Sequence, residues 1–170
     1  MTAQSIKTQK GLALSSSKGF TLIELLVVIG ILAILLAITL IAINPARQFG
    51  QANDTKRRSD VTQILNAIGQ YSASNSGNLP TDIKNGNFTG GALDLNKTNF
   101  PTLCTDLVPN YLPALPVDPS GNNQAGIDTA GCATSWTTGT SSVYQINKDA
   151  NNRITVSASA PYAGPIQVTR

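Results

Sequence analysis

From Phe20 to Ile43 the chain runs through Leu, Ile, Val and Ala, broken only by Thr21, Glu24, Gly30 and Thr39. At about 1.5 Å per residue such a helix spans roughly 36 Å, more than the ~30 Å hydrocarbon core of a bilayer. A cleaved secretory signal has an apolar region of only about 7–15 residues, followed by a small-residue cleavage site. Ile41-Ala42-Ile43-Asn44-Pro45 is a poor site of that kind, so the run is expected to cross a membrane as a retained helix. Glu24 does not fit an inert anchor. A carboxylate inside a spanning segment is costly, and its presence marks function.

Lys18-Gly19-Phe20 stands at the head of the run. A cut after Gly19 would give Phe20 a free α-amino group and leave Glu24 in the first helical turn, where the helix dipole favours an acid. The amine of a neighbouring copy is then the expected counter-charge. Glu24 would set register between packed helices, as a buried polar residue does in a coiled coil. The alternative is a glutamate that snorkels to the membrane interface.

The formal net charge of +3 is carried by the N-terminal arm. Lys7, Lys10 and Lys18 precede Phe20 with no acid among them, and the rest of the chain is formally neutral. The pI near 9.0 therefore says little about nucleic acid. Basic residues alone leave orientation open, because Arg47, Lys56, Arg57 and Arg58 lie just beyond the run. Cys104 and Cys132, the only cysteines, and the polar C-terminal half favour a cytoplasmic N-terminus. On the far side of the membrane the pair is expected to form a disulfide, stabilising by on the order of 3.5 kcal/mol. Two buried thiols are the alternative.

Asn44-Pro45 closes the apolar run with either a kink or a plain helix end. Val61, Ile64, Leu65, Ile68 and Tyr71 then recur at helical spacing, so Ala46–Ala73 reads as the amphipathic half of one long helix. The cluster Lys56-Arg57-Arg58 is expected on its solvated face, or against anionic head groups. Leu79–Asn123, rich in Pro, Asn, Gly and Asp, reads as a long irregular connection. Strand alternation appears at Val143–Ile146 and Ile154–Ala158, joined by a turn over Asn147–Asn152, with a third strand at Ile166–Thr169. Trp136 is expected as a core anchor. The resulting fold class is α+β, a long N-terminal helix packed on a small antiparallel sheet.

Lys-Gly-Phe-Thr-Leu-Ile-Glu-Leu-Leu-Val-Val-Ile at Lys18–Ile29 resembles the class III signal and N-terminal helix of type IV pilins and of type II secretion pseudopilins. The resemblance implies the pilin fold, cleavage between Gly19 and Phe20 by a prepilin peptidase, and N-methylation of Phe20. It also implies assembly through Glu24 into a helical filament of identical copies, driven by an ATPase and its platform proteins. Residues 1–19 would be the leader, 20–44 the transmembrane and filament-core helix, 45–76 the amphipathic helix, and 77–170 the head. Leu107–Pro119 is similar to the tyrosine-leucine-proline, proline-x-aspartate-proline loop of major pseudopilins, where the following loop often binds calcium. Ser120-Gly121 replaces the tryptophan-glycine of that pattern, and Asp118, Asn122 and Asp128 are only weak candidate oxygen ligands. No cofactor is otherwise expected.

The chain has no histidine, which removes the usual general base at neutral pH and the commonest metal ligand. Its carboxylates are scattered singly, so no enzymatic activity is expected. The expected role is a structural subunit of a type IV pilus-like filament, held in the inner membrane before assembly and then periplasmic or extracellular. A major pseudopilin of type II secretion is the first alternative, and a competence pilin for DNA uptake the second. The latter would want a basic stripe, whereas residues after Asp60 hold five basic and six acidic side chains. Nucleic acid is therefore not an expected partner.

Overall fold

The computed structural model describes residues 19–121, 125–134, 136 and 143–170, arranged as two units, one ending at Asn44 and one from Pro45 to Arg170. In the first unit, helix α1 covers Leu22–Ala42. None of its residues is buried, as a helix apolar on all sides requires of an environment outside its own chain. Its most apolar 18-residue window has a mean hydropathy of 3.2, long and apolar enough to cross a membrane.

Helix α1 ends where Ile43 turns extended, at φ −98° and ψ 105°, with its N–H still bonded to the Thr39 carbonyl. Helix α2 then covers Pro45–Ser74, with Pro45 as its first residue. A proline is tolerated there because the missing N–H would have had no helical partner. The long N-terminal helix read from the sequence is thus present over the Leu22–Ser74 region, interrupted at Ile43–Asn44.

In the second unit, α2 buries Val61, Ile64, Leu65, Ala67 and Ile68 as one apolar face. That face lies on a four-stranded antiparallel sheet in sequence order: β1 (Leu93–Asp94), β2 (Tyr144–Lys148), β3 (Ile154–Ala158) and β4 (Ile166–Thr169). The register aligns Tyr144, Ala158 and Ile166 in one row and Ile146, Val156 and Val168 in the next. Alternation therefore puts the apolar rows inward and Gln145, Ser157 and Gln167 on the other face. The β2–β3 turn is tighter than Asn147–Asn152. Lys148 still pairs in the ladder, and the carboxylate of Asp149 accepts the N–H groups of Asn151 and Arg153, both at 2.8 Å.

The connection before the sheet is more ordered than its composition suggests. It holds α3 (Thr81–Asn85), strand β1, and α4 (Leu103–Leu107), followed by α5 (Thr129–Thr134). Asp82 caps α4 across sequence, accepting the N–H groups of Thr102 and Leu103 at 2.6 and 2.8 Å. A disulfide joins Cys104 on α4 to Cys132 on α5, with Cα atoms 5.5 Å apart. Trp136 is fully buried, and its indole N–H donates to the Phe100 carbonyl at 3.2 Å.

Candidate functional site: the capped start of the apolar helix

Gly19, Phe20 and Thr21 precede the first turn of α1 in non-helical conformation, and Phe20 is 84% exposed. Neither residue of the Gly19–Phe20 bond is in the helix, and both are exposed. A Cβ built on Gly19 would meet nothing within 4 Å. Packing among the described residues does not demand a glycine at this position.

Thr21 is the N-cap of α1 and forms a capping box with Glu24. The Glu24 amide donates to Thr21 Oγ1 at 3.3 Å, and Glu24 Oε2 accepts from the Thr21 amide at 2.8 Å and from its hydroxyl at 2.7 Å. Two helix-end donors are thereby satisfied reciprocally. The sequence reading singled out Glu24 but passed over Thr21. The signal was present, since a threonine three residues before a glutamate at the head of an apolar run is the sequence signature of this motif. The whole box lies on the C-terminal side of the Gly19–Phe20 bond.

Residues 1–18, with Lys7, Lys10 and Lys18, lie outside the described residues, as does Asn122. The other two calcium candidates are engaged within the chain. Asp118 Oδ1 accepts from Arg57 Nη2 at 2.8 Å and from Arg57 Nε and the Ser120 amide, each at 3.1 Å, while its Oδ2 takes the Ser120 hydroxyl at 2.6 Å. Asp128 Oδ1 accepts the Gly131 amide at 2.8 Å near the start of α5. Among the described residues no three metal-ligating side chains converge.

The basic cluster on α2 is divided between solvent and interior, which corrects the reading of a solvated face. Arg58 is exposed, but Arg57 is 6% exposed and inserts between two carboxylates. Its Nη1 donates to Asp54 at 2.9 Å, on the opposite side from Asp118. Asp54, itself buried, uses its second oxygen to accept the amides of Tyr162 and Ala163 at 2.8 and 2.9 Å. Three residues after Arg57, Asp60 accepts from the Tyr144 hydroxyl at 2.6 Å and from Lys56 at 3.2 Å. Burial and the adjacent Asp60 carboxylate hold the Tyr144 phenol well above its ordinary pKa, so it stays a donor. Burial alone would raise the Asp118 pKa, but bonds from Ser120 and Arg57 outweigh it and hold the carboxyl below its ordinary value.

Comparison with known families falls on the N-terminus described above. Residues 14–40 match the prokaryotic N-terminal methylation motif. This is a prepilin-type N-terminus. With the apolar helix that follows, it fits the class III signal of type IV pilins and pseudopilins and supports a precursor of that kind. The motif and helix together point to membrane anchoring, to processing by a prepilin peptidase and to filament assembly. No curated protein and no solved structure showed significant similarity to the chain.

Proposed function

We propose that the mature chain is a structural, non-catalytic subunit of a type IV pilus-like filament, cut between Gly19 and Phe20 and methylated on Phe20. The observation that carries this reading is the capped junction. It combines an exposed peptide bond, a helix start that survives the cut, and one carboxylate in the first turn of an otherwise uncharged helix. Before assembly α1 rests in the inner membrane with its N-terminus in the cytoplasm. The exposed apolar surface of α1 is then transferred from lipid to the matching helices of other copies, under an assembly ATPase and platform proteins.

Glu24 acts at that transfer. Both Thr21 bonds go to Oε2, and the charge still needs a partner inside an apolar bundle. The amine of Phe20 in a neighbouring copy supplies it, so correct stagger is favoured over a slipped one. No cofactor enters this scheme.

The second reading, a major pseudopilin, is favoured by the segment Leu107–Pro119. Its residues Leu112, Leu115 and Val117 are buried, Leu115 bridges Ile127, and Asp118 ties the segment to α2 through Arg57. Both readings share the same test of polymerisation. Intact mass of membrane-extracted protein should begin at Phe20 with one added methyl group. Glu24→Ala should insert into the membrane normally yet yield few filaments by electron microscopy. A main species that keeps Met1 in a peptidase-competent cell, or undiminished fibres from the variant, would overturn the proposal.

A further inference from the structure

Two aromatic residues at the start of the second unit remain uncovered. Phe49 on α2 is 72% exposed, and Tyr162 in the β3–β4 loop is 51% exposed. The tyrosine is held there by design of its surroundings. A Cβ on Gly50 would fall within the Tyr162 ring, against Cδ2, Cε2 and Cζ, so the ring lies directly on the helix backbone at Gly50, the residue after Phe49. The loop is pinned from beneath by the buried Asp54 carboxylate, which accepts the amides of both Tyr162 and Ala163. Pro161 and Pro165 bracket the loop and limit its backbone freedom. The Asp54 carboxylate, whose other oxygen holds Arg57, thus keeps an exposed aromatic fixed in place.

Chain connectivity says what lies there. Phe49 follows Ile43, the last residue of the apolar run, by six residues, so a fully extended chain between them reaches about 21 Å. That limit holds for any arrangement of the two units. With α1 in a bilayer, Phe49 and the Tyr162 ring on adjacent Gly50 are therefore held within reach of one membrane surface. We propose that Phe49 and Tyr162 form an interfacial aromatic anchor that seats the second unit on the lipid head-group layer before polymerisation. Tyrosine suits this layer, with an apolar ring and a polar tip, and its hydroxyl has no protein partner among the described residues.

This proposal rests on α1 being a membrane helix, and its test separates the two. The mature full-length protein is incorporated into vesicles of phosphatidylcholine and phosphatidylglycerol, with or without bromine on the acyl chains. Tyr162→Trp is compared with the unsubstituted protein, whose single tryptophan, Trp136, is fully buried. An unchanged Trp136 emission maximum in Tyr162→Phe certifies that the loop substitution leaves the core folded. Emission from the introduced tryptophan should fall about twofold in brominated vesicles, as for a residue at the interface, while Trp136 is not quenched. Adding Gly50→Ala, which displaces the ring, should remove most of that quenching.

Co-flotation with the vesicles reports α1 independently. A protein that floats but whose introduced tryptophan is quenched no more than Trp136 overturns the anchor alone. If that tryptophan becomes shielded from aqueous iodide only in filaments, the surface belongs to a second copy and the proposal falls. Failure to float removes the membrane reading and the anchor with it.

Discussion

Arg57→Met is the perturbation that most directly tests how the second unit is held together. Methionine keeps the volume and apolar stem of the side chain but removes all donors. Asp118 would lose two bonds and Asp54 one, leaving two partly or wholly buried carboxylates without their cation. Removing one partner from a buried ion pair typically costs about 3–5 kcal/mol. The lower end applies here, because Asp54 keeps the Tyr162 and Ala163 amides and the Asp118 side chain is 21% exposed. The expected loss is therefore about 3 kcal/mol, which for a unit of this size lowers Tm by on the order of 10 °C. Arg57→Lys should recover little, since one ammonium cannot reproduce a fork that serves two carboxylates on different edges. Acid should act in the same direction as the mutation. The folded-state pKa of Asp118 lies below its ordinary value of 3.8, so the pair stabilises above about that pH. The contribution is lost as pH falls through the lowered value. Circular dichroism melts in neutral detergent between pH 3 and 7 should show that acid-labile increment in the parent protein, and a smaller one in Arg57→Met. A variant as stable as the parent, with an unchanged pH profile, would refute the assignment of Arg57 as a structural cation.

Three further outcomes are expected. Tyr144→Phe leaves the buried Asp60 carboxylate with Lys56 alone and should destabilise by about 1.5–3 kcal/mol in urea unfolding. Replacing both Cys104 and Cys132 with alanine should cost about 2–4 kcal/mol, and thiol labelling of the parent should require reductant. Asp106 has its pKa raised chiefly by burial and further by nearby Asp82, against a lowering bond from Thr102, so its ionised form is disfavoured in the folded state. Asp106→Asn should therefore raise stability at neutral pH and leave it nearly unchanged at pH 3; a loss at pH 7 would contradict the sign.

The apolar helix and the three longer strands were legible because each carries a sustained period. Ile154, Val156 and Ala158 alternate, and Val61, Ile64, Leu65 and Ile68 recur at helical spacing. Strand β1 has two residues and no room to show alternation, α3 and α4 are single turns within Pro- and Asn-rich sequence, and α5 is a short helix of Thr, Ala, Gly and Cys. Their order comes from distant partners, as when Asp82 caps α4 twenty residues away. Arg57 was misread for the same reason. A basic triplet looks solvated until the carboxylate 61 residues on is brought to it by the fold. Thr21 differs, because its partner is local and a motif scan alone would have found it. Ile43–Asn44 marks the opposite limit: proline signalled an interruption, but only the backbone angles separate a kink from an end.

The polar ties along α2 have a mechanical consequence. A tensile load delivered at Pro45 would reach Asp54 and Arg57 before the buried apolar face that starts at Val61. Those two side chains reach segments remote in sequence, one around Ser120 and one around Tyr162. Pulling along α2 would thus load ties to two remote segments of the head at once.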